Sequence, residues 1–183
     1  MKKHLIVFLA YQHLDIVKCS FESIKSVDAD IFVVENKSEN SNLIADYFKD
    51  QNHIGYIQFH ENVANSSMNI FIEDFWDLIT QYEYITFTDG DLCVYDVKSM
   101  FEEIFDAFKN PQVVISSADL WQGNNYQNEE RLGFDSFLQE MACNQTEFGS
   151  IQGHTGNFFV TIKNQDIGIV KQGRLYLDSY LAE

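Results

Sequence analysis

Near the middle of the chain, a strand-like run leads directly into two carboxylates separated by a glycine: Tyr84-Ile85-Thr86-Phe87-Thr88-Asp89-Gly90-Asp91. Two carboxylates spaced in this way can converge on one hard cation, and the glycine permits a turn and the close approach of a ligand. A second interpretation is a β-hairpin, because Asp-Gly is a favoured turn and residues 92–95 could form the returning strand. The surrounding sequence has to decide between a metal site and a hairpin.

On both sides of this stretch, strand-like and helix-like segments alternate. Further strands are expected at residues 5–10, 30–34, 56–59, 112–116 and 157–162, and helices at 43–48 and 134–141. Helical spacing of apolar residues predicts three more helices, marked by Val17, Phe21 and Ile24, by Met68, Ile72, Phe75 and Ile79, and by Val97, Phe101, Ile104 and Phe108. Asp15 is the expected cap of the first helix. This alternation predicts a single α/β domain with a largely parallel sheet and an irregular second half.

Each of the first four predicted strands runs into a polar segment. The four segments are Tyr11-Gln12-His13, Glu35-Asn36-Lys37-Ser38, Glu61-Asn62 and Asp89-Gly90-Asp91. In open parallel sheets, ligands bind at the carboxyl ends of the strands, so these segments are expected to line one crevice. That context favours the metal site over the hairpin.

Charge and cysteine content narrow the possible functions further. A formal net charge of −16 disfavours binding to nucleic acid or to anionic lipid. An anionic small substrate then needs a cation held by carboxylates. The three cysteines lack CxxC spacing, which predicts reduced, buried thiols and a cytoplasmic location. The apolar run at residues 5–10 is too short to cross a membrane and is expected to be a buried strand.

Several segments, taken in order, resemble the GT-A glycosyltransferases, especially the family-2-like enzymes. The stretch that ends in Asp89-Gly90-Asp91 resembles their strand and DxD motif. Residues 8–12 resemble their first strand and turn, residues 33–38 resemble their VVDNxS segment, and residues 62–69 resemble their Asn-x-Gly…Asn segment. The resemblance covers residues 5–96 and implies a GT-A, Rossmann-like fold. This chain departs from the pattern at Glu35, where aspartate is usual, and at Ala64, where glycine is usual.

The resemblance also implies roles for individual residues in binding a nucleotide-diphosphate sugar. Tyr11 would lie against the nucleobase, and Glu35 would contact the base or ribose. Asp89 would face the ribose or sugar, and Asp91 would hold Mn²⁺ or Mg²⁺ together with Asp89. The matched asparagines of the third segment, Asn62 and Asn69, are also assigned to donor binding. From the sequence alone, Tyr11 could instead cap the sheet, and Glu35 could be a solvated loop carboxylate.

Residues 97–183 are expected to serve the acceptor, while residues 1–96 bind the nucleotide sugar. Trp121, with Asp119 and Tyr126, could form a platform for a sugar or could instead be a core residue. His154 could be a metal ligand, an acceptor contact or a loop histidine without such a role. Asp178 lies in a segment similar to the one ahead of the family's catalytic motif, so Asp178 is the candidate general base. The alternatives are Glu183, a residue beyond this end, or no general base at all, and inversion or retention stays undecided.

Three functions fit these observations. The first is a metal-dependent glycosyltransferase that acts on a glycan or a lipid-linked acceptor. The second is a catalytically silent module that binds a nucleotide sugar. The third is a nucleotidyltransferase, which is less favoured because those enzymes usually carry a glycine-rich basic loop after the first strand, and this chain has Ala10-Tyr11-Gln12-His13 there.

Overall fold

The computed structural model describes residues 2–63, 66–92, 94, 96–111, 113, 115–117, 144–146, 149–151 and 159–167. The strands are β1 (Lys2–Ala10), β2 (Asp30–Glu35), β3 (Gly55–Gln58), β4 (Tyr82–Asp89), β5 (Ile115–Ser117), β6 (Asn144–Thr146), β7 (Gly149–Ile151) and β8 (Phe159–Lys163). The helices are α1 (Leu14–Ile24), α2 (Ser41–Phe48), α3 (Ser67–Asp74), α4 (Trp76–Ile79) and α5 (Val97–Ala107). The order of elements confirms the predicted α/β class.

Six strands form the central sheet in the order β3-β2-β1-β4-β8-β5. The first four are mutually parallel, so their carboxyl ends lie along one edge of the sheet. β8 runs antiparallel to both β4 and β5. The sheet is therefore mostly parallel, as predicted, with one reversed strand, and β6 and β7 pair separately in a small hairpin that the sequence did not predict.

Both faces of the sheet are covered, which explains why β1 is apolar without interruption from Leu5 to Ala10. One face of the sheet packs against α3 and α4, and the other packs against α1, α2 and α5. On that second face, the predicted stripes of α1 and α5 are buried: Val17, Phe21, Ile24, Val97, Phe101 and Ile104.

One predicted helix is broken in the structure. The stripe from Met68 to Ile79 is shared between α3 and α4, and Phe75 lies between them with φ −113° and ψ 27°. The Phe75 ring stacks on Phe71 and packs on Phe32, with ring centroids 4.9 Å and 5.0 Å away. The residue therefore keeps its apolar contact with the sheet although the helix ends beside it.

Two smaller expectations are also corrected. His13, not Asp15, occupies the N-cap position of α1, and Asp15 lies in the first helical turn. Cys19 is exposed and disulfide-bonded, with its partner outside the described residues, so the expectation of reduced, buried thiols is wrong for it. Thiol chemistry then no longer supports a cytoplasmic location.

Within the described part of the chain, no helix is long and apolar enough to span a membrane.

A buried row of polar side chains crosses the middle of the sheet on the α5 side. The His4 ring nitrogen Nε2 lies 2.7 Å from Thr86 Oγ1, which in turn lies 2.7 Å from Thr161 Oγ1. The rings of Phe101 and Phe105 pack edge-on against His4. These three polar residues, here called the inner row, are 3%, 0% and 0% exposed.

Candidate functional site

The turn Asp89-Gly90-Asp91, here called the aspartate turn, lies at the carboxyl end of β4. Asp89 is the last residue of the strand and half-buried, Gly90 is buried, and Asp91 is exposed. A β-carbon at position 90 would lie 2.6 Å from the carbonyl oxygen of Leu9, so only glycine lets the turn pack so closely on the end of β1.

The pairing of β4 rules out the hairpin. One edge of β4 is hydrogen-bonded to β1 and the other to β8. No edge is left for residues 92–95 to return along the strand. The two carboxylates therefore lie at the sheet edge where parallel α/β sheets bind their ligands.

Two serines of α1 hold the chain that follows the carboxylates. The Ser20 hydroxyl donates to the carbonyl of Leu92 over 2.8 Å, and the Val94 backbone N–H donates to Ser23 Oγ over 3.0 Å. The sequence analysis missed both serines. The signal was a small polar residue, Ser20, on the otherwise apolar buried face of α1.

A network of amides joins the ends of β1, β2 and β3. The Asn36 amide nitrogen donates to Asn62 Oδ1 over 2.8 Å, and the Asn62 amide nitrogen donates to the Tyr11 hydroxyl over 2.9 Å. These three residues, here called the edge network, bring together two predicted donor-binding residues and one that was not singled out, Asn36. Tyr11 is 36% exposed, so the network reaches solvent.

The loop after β1 is tied down from two sides. Gln12 has a φ of 57°, a left-handed conformation that is uncommon for residues other than glycine. Its carbonyl accepts a hydrogen bond from the Asn40 side chain over 3.0 Å, and its own amide nitrogen donates to the Tyr11 hydroxyl over 2.9 Å. The strained loop thus holds the Tyr11 hydroxyl next to the amides.

Glu35 lies beneath this edge, because its side chain is fully buried. The Tyr56 hydroxyl donates to Glu35 Oε2. Burial, and then the hydrogen bond and charge of Glu35, raise the pKa of Tyr56 well above its usual range. The interpretation of Glu35 as a solvated loop carboxylate is wrong, while its contact with a nucleotide stays a prediction.

The remaining predicted residues divide into two groups. Asn69 lies in α3 and is half-buried. The candidate base and the acceptor-side residues fall outside the described residues: Asp119, Trp121, Tyr126, His154, Asp178 and Glu183.

The chemistry of the aspartate turn suits a divalent cation. Mg²⁺ is usually held by one or two carboxylates together with substrate phosphates and water, so two aspartates suffice when a diphosphate supplies further oxygens. Among the described residues, no cluster of three or more His, Cys, Asp or Glu side chains suited to a metal occurs. The turn supplies two carboxylates as hard oxygen ligands. The other oxygen ligands of the cation would come from a bound diphosphate and from water.

No protein-family model and no curated protein sequence matches the chain, whereas solved structures do. A Pyrobaculum calidifontis mannosyltransferase, solved with GDP-Man and Mn²⁺, is 11% identical, with a TM-score of 0.60 over 92% of this chain and 46% of that one. The 4-diphosphocytidyl-2C-methyl-D-erythritol synthase of Anaerococcus prevotii is 11% identical, with a TM-score of 0.56 over 98% and 81%. The Mycobacterium tuberculosis glucosyl-3-phosphoglycerate synthase, solved with Mn²⁺, uridine diphosphate and phosphoglyceric acid, is 13% identical, with a TM-score of 0.51 over 97% and 66%.

This chain spans less than half the length of the mannosyltransferase, 46%. At such identities the matches bear on the fold alone. The chain therefore has the GT-A fold of the nucleotide-diphospho-sugar transferases.

Proposed function

We propose that this chain is a metal-dependent glycosyltransferase domain. It would move a sugar from a nucleotide-diphosphate donor to a hydroxyl of a glycan, a lipid-linked glycan or another acceptor. The observation that carries the proposal is the position of Asp89-Gly90-Asp91 at the carboxyl end of β4, packed on the end of β1. In this proposal residues 1–96 bind the donor and residues 97–183 serve the acceptor.

Asp89 and Asp91 would hold the cation against the diphosphate. Bound there, Mn²⁺ or Mg²⁺ supplies the positive charge that stabilises the leaving diphosphate. A chain with a net charge of −16 needs such a cation to accept an anionic donor. Gly90 leaves the turn without a side chain where the diphosphate would approach.

The edge network would bind the nucleoside part of the donor. In the sheet, β4 and β2 flank β1, so the aspartate turn and Asn36 lie two strand spacings apart, or about 10 Å. A nucleoside diphosphate is long enough to reach from one to the other. Two of the similar structures support this donor class. The mannosyltransferase was solved with GDP-Man and Mn²⁺, and the glucosyl-3-phosphoglycerate synthase with uridine diphosphate and Mn²⁺.

A nucleotidyltransferase is the second candidate, because the A. prevotii synthase matches over 81% of its own length. The loop after β1 argues against it. The first lysine or arginine after β1 is Lys18, and its ammonium group lies over the ring of Tyr47, 5.5 Å from the centroid. That position is one helical turn inside α1, away from a phosphate-binding loop. A silent nucleotide-sugar-binding module is the third candidate, and only turnover separates it from the enzyme.

Calorimetric titration with UDP, GDP and CDP, each with and without Mn²⁺, tests the donor site. We expect one nucleotide to bind with Mn²⁺, and we expect Asp91→Ala to weaken that binding by about 100-fold through the loss of a metal ligand. Asp28→Ala is the matched control, because Asp28 is exposed in the turn before β2, at the opposite end of the sheet. Binding that is indifferent to Mn²⁺, or equally weakened by both variants, would contradict the metal site.

Turnover is then measured as release of the nucleoside diphosphate from UDP-glucose, GDP-mannose and related donors. A slow Mn²⁺-dependent hydrolysis that is lost in Asp91→Ala supports the glycosyltransferase. Tight binding of the intact donor without hydrolysis or transfer identifies the silent module instead. Release of pyrophosphate from a nucleoside triphosphate and a sugar phosphate would identify the nucleotidyltransferase.

A further inference from the structure

The hydrogen bonds of the edge network run in one direction, and a backbone group fixes that direction. The backbone N–H of Val63 donates to Asn36 Oδ1 over 2.9 Å. Because a backbone N–H can only donate, the oxygen of the Asn36 amide faces Val63 and its nitrogen faces Asn62. The Asn62 oxygen accepts that N–H over 2.8 Å, so the Asn62 nitrogen is the atom that faces Tyr11, 2.9 Å away.

The Tyr11 hydroxyl therefore receives hydrogen bonds from its neighbours. Asn62 and Gln12 each direct an amide N–H at the phenolic oxygen over 2.9 Å. Two donors fill the acceptor capacity of this oxygen, and its own proton is what it can still offer. Among the residues that the structure describes, no acceptor is assigned to that proton, and Tyr11 is 36% exposed. The loop thus presents an oriented O–H donor at the sheet edge.

The position of this donor in the sheet favours the base over the diphosphate. The edge network joins the ends of β1, β2 and β3, while the aspartate turn follows β4 on the other side of β1. With the diphosphate at the aspartate turn, the part of the donor that reaches β2 and β3 is the nucleoside. An O–H donor there matches the carbonyl of uracil or guanine and meets a second donor in the amino group of cytosine or adenine.

We propose that the Tyr11 hydroxyl is a specificity-determining donor that reads the base atom at which a carbonyl and an amino group alternate, so that it selects O4 of uracil over the N4 amino group of cytosine and O6 of guanine over the N6 amino group of adenine. This inference rests on the proposed function and adds the choice of base to it. A wrong base leaves two donors facing each other without an acceptor, and such a mismatch costs more than a missing contact.

The test measures nucleotide binding in the presence of Mn²⁺. UDP is compared with CDP and GDP with ADP, so that the two bases of each pair have the same ring size. In the wild-type chain, we expect UDP to bind about tenfold tighter than CDP, or GDP about tenfold tighter than ADP. Tyr11→Phe removes the hydroxyl and keeps the ring, so it should weaken UDP or GDP about tenfold and leave CDP or ADP bound at least as tightly as before, because the mismatch is removed with the hydroxyl. Tyr47→Phe, which removes the hydroxyl that donates to Glu22, is the matched control.

Asn62→Asp reverses the direction of the last hydrogen bond. A carboxylate at position 62 accepts the Tyr11 proton and still accepts the Asn36 amide, which turns a lone pair of the Tyr11 oxygen outward. We expect the base preference to shift toward CDP and ADP, whereas Asn52→Asp, with the same change in charge at an exposed position, leaves it unchanged. Thermal melting of each variant confirms that it is folded.

Three outcomes would overturn the proposal. Equal affinities within both pairs would show that Tyr11 does not read the base. A uniform loss for all four nucleotides in Tyr11→Phe would assign its proton to a ribose or phosphate oxygen. In both of these cases binding that depends on Mn²⁺ and Asp91 would leave the proposed function standing. No binding of any nucleotide would overturn the proposed function as well.

Discussion

The inner row and the edge network are built from similar polar groups, yet they differ in burial. Each consists of three side chains that hydrogen-bond across neighbouring strands or strand ends at 2.7–2.9 Å. The inner row is closed by aromatic rings and lies at 3% exposure or less. The edge network ends in Tyr11, at 36% exposure.

This difference assigns different tasks to the two sets. A buried hydrogen bond contributes mainly because its loss leaves polar atoms without partners, so the inner row holds the sheet together and is closed to a ligand. In the edge network Asn36 is buried, at 4% exposure, whereas Asn62 and Tyr11 are exposed. Water can replace the outer hydrogen bond at little cost, so this outer end contributes little to folding and remains open to a ligand. Stability should therefore respond to the inner row, and nucleotide affinity to the edge network.

The largest effect on stability is expected from Thr86→Val. The valine fills the same volume but leaves His4 Nε2 and the Thr161 hydroxyl buried without their partner. We expect the free energy of unfolding to fall by about 2–4 kcal/mol in urea denaturation. Asn62→Ala in the edge network should lower it by less than about 1 kcal/mol.

Nucleotide titration at a temperature where both variants are folded completes this comparison. We expect Thr86→Val to bind the nucleotide like the wild type and Asn62→Ala to bind it more weakly. Equal losses of stability, or an unchanged affinity in Asn62→Ala, would remove the distinction between the two sets.

Gly90 packs on the end of β1 and also belongs to the turn that carries the two aspartates. Gly90→Ala should therefore lower both the free energy of unfolding and the nucleotide affinity, the first by less than Thr86→Val does. The added methyl group would lie 2.6 Å from the Leu9 carbonyl oxygen and 3.2 Å from the Phe8 ring. Because the nearest atom belongs to the backbone of β1, the turn has to move. We expect a loss of about 1–3 kcal/mol in the free energy of unfolding and weaker Mn²⁺-dependent binding. Asp91→Ala, which adds no atom to the same turn, should weaken binding while keeping the stability.

The sequence was sufficient for those parts of the fold that depend on local periodicity. β1 is apolar from Leu5 to Ala10 because helices cover both faces of the sheet, and α5 follows its stripe from Val97 to Phe101 and Ile104. The break at Phe75 was not predictable in this way, because Phe75 also fits the helical spacing. The place of the turn Asp89-Gly90-Asp91 at the sheet edge followed from the strand-like run at residues 84–88 directly before it.

The candidate site was less predictable, because its contacts join residues far apart in the chain. Asn36 and Asn62 are 26 residues apart, and Ser20 and Leu92 are 72 apart. The burial of Glu35 depends on the next strand, through its hydrogen bond with Tyr56. Local patterns selected Tyr11 and Asn62 by their place after a strand, but no local pattern gives the direction of the hydrogen bonds between them.

The smallest of these effects is a pH dependence that arises in the inner row. Burial, with a smaller contribution from the charge of Lys3, lowers the pKa of His4 from 6.5 to about 3. Between these values the unfolded chain binds a proton that the folded chain does not, so this contribution to stability is complete above pH 6.5 and is lost as the pH falls. For this one residue, we expect the contribution of His4 to the free energy of unfolding to fall by about 1.4 kcal/mol between about pH 7.5 and about pH 5.5.

His4→Gln measures this contribution, because glutamine can hydrogen-bond to Thr86 but does not titrate. Urea denaturation of the wild type and of His4→Gln at both pH values gives the difference directly, and the acid-induced loss should be smaller in the variant by about 1.4 kcal/mol. His60→Gln is the matched control, since it makes the same substitution at an exposed position outside the inner row. Equal acid-induced losses in the wild type and His4→Gln would mean that His4 accepts a proton within the folded sheet, and the inner row would then resemble the edge network in its access to water.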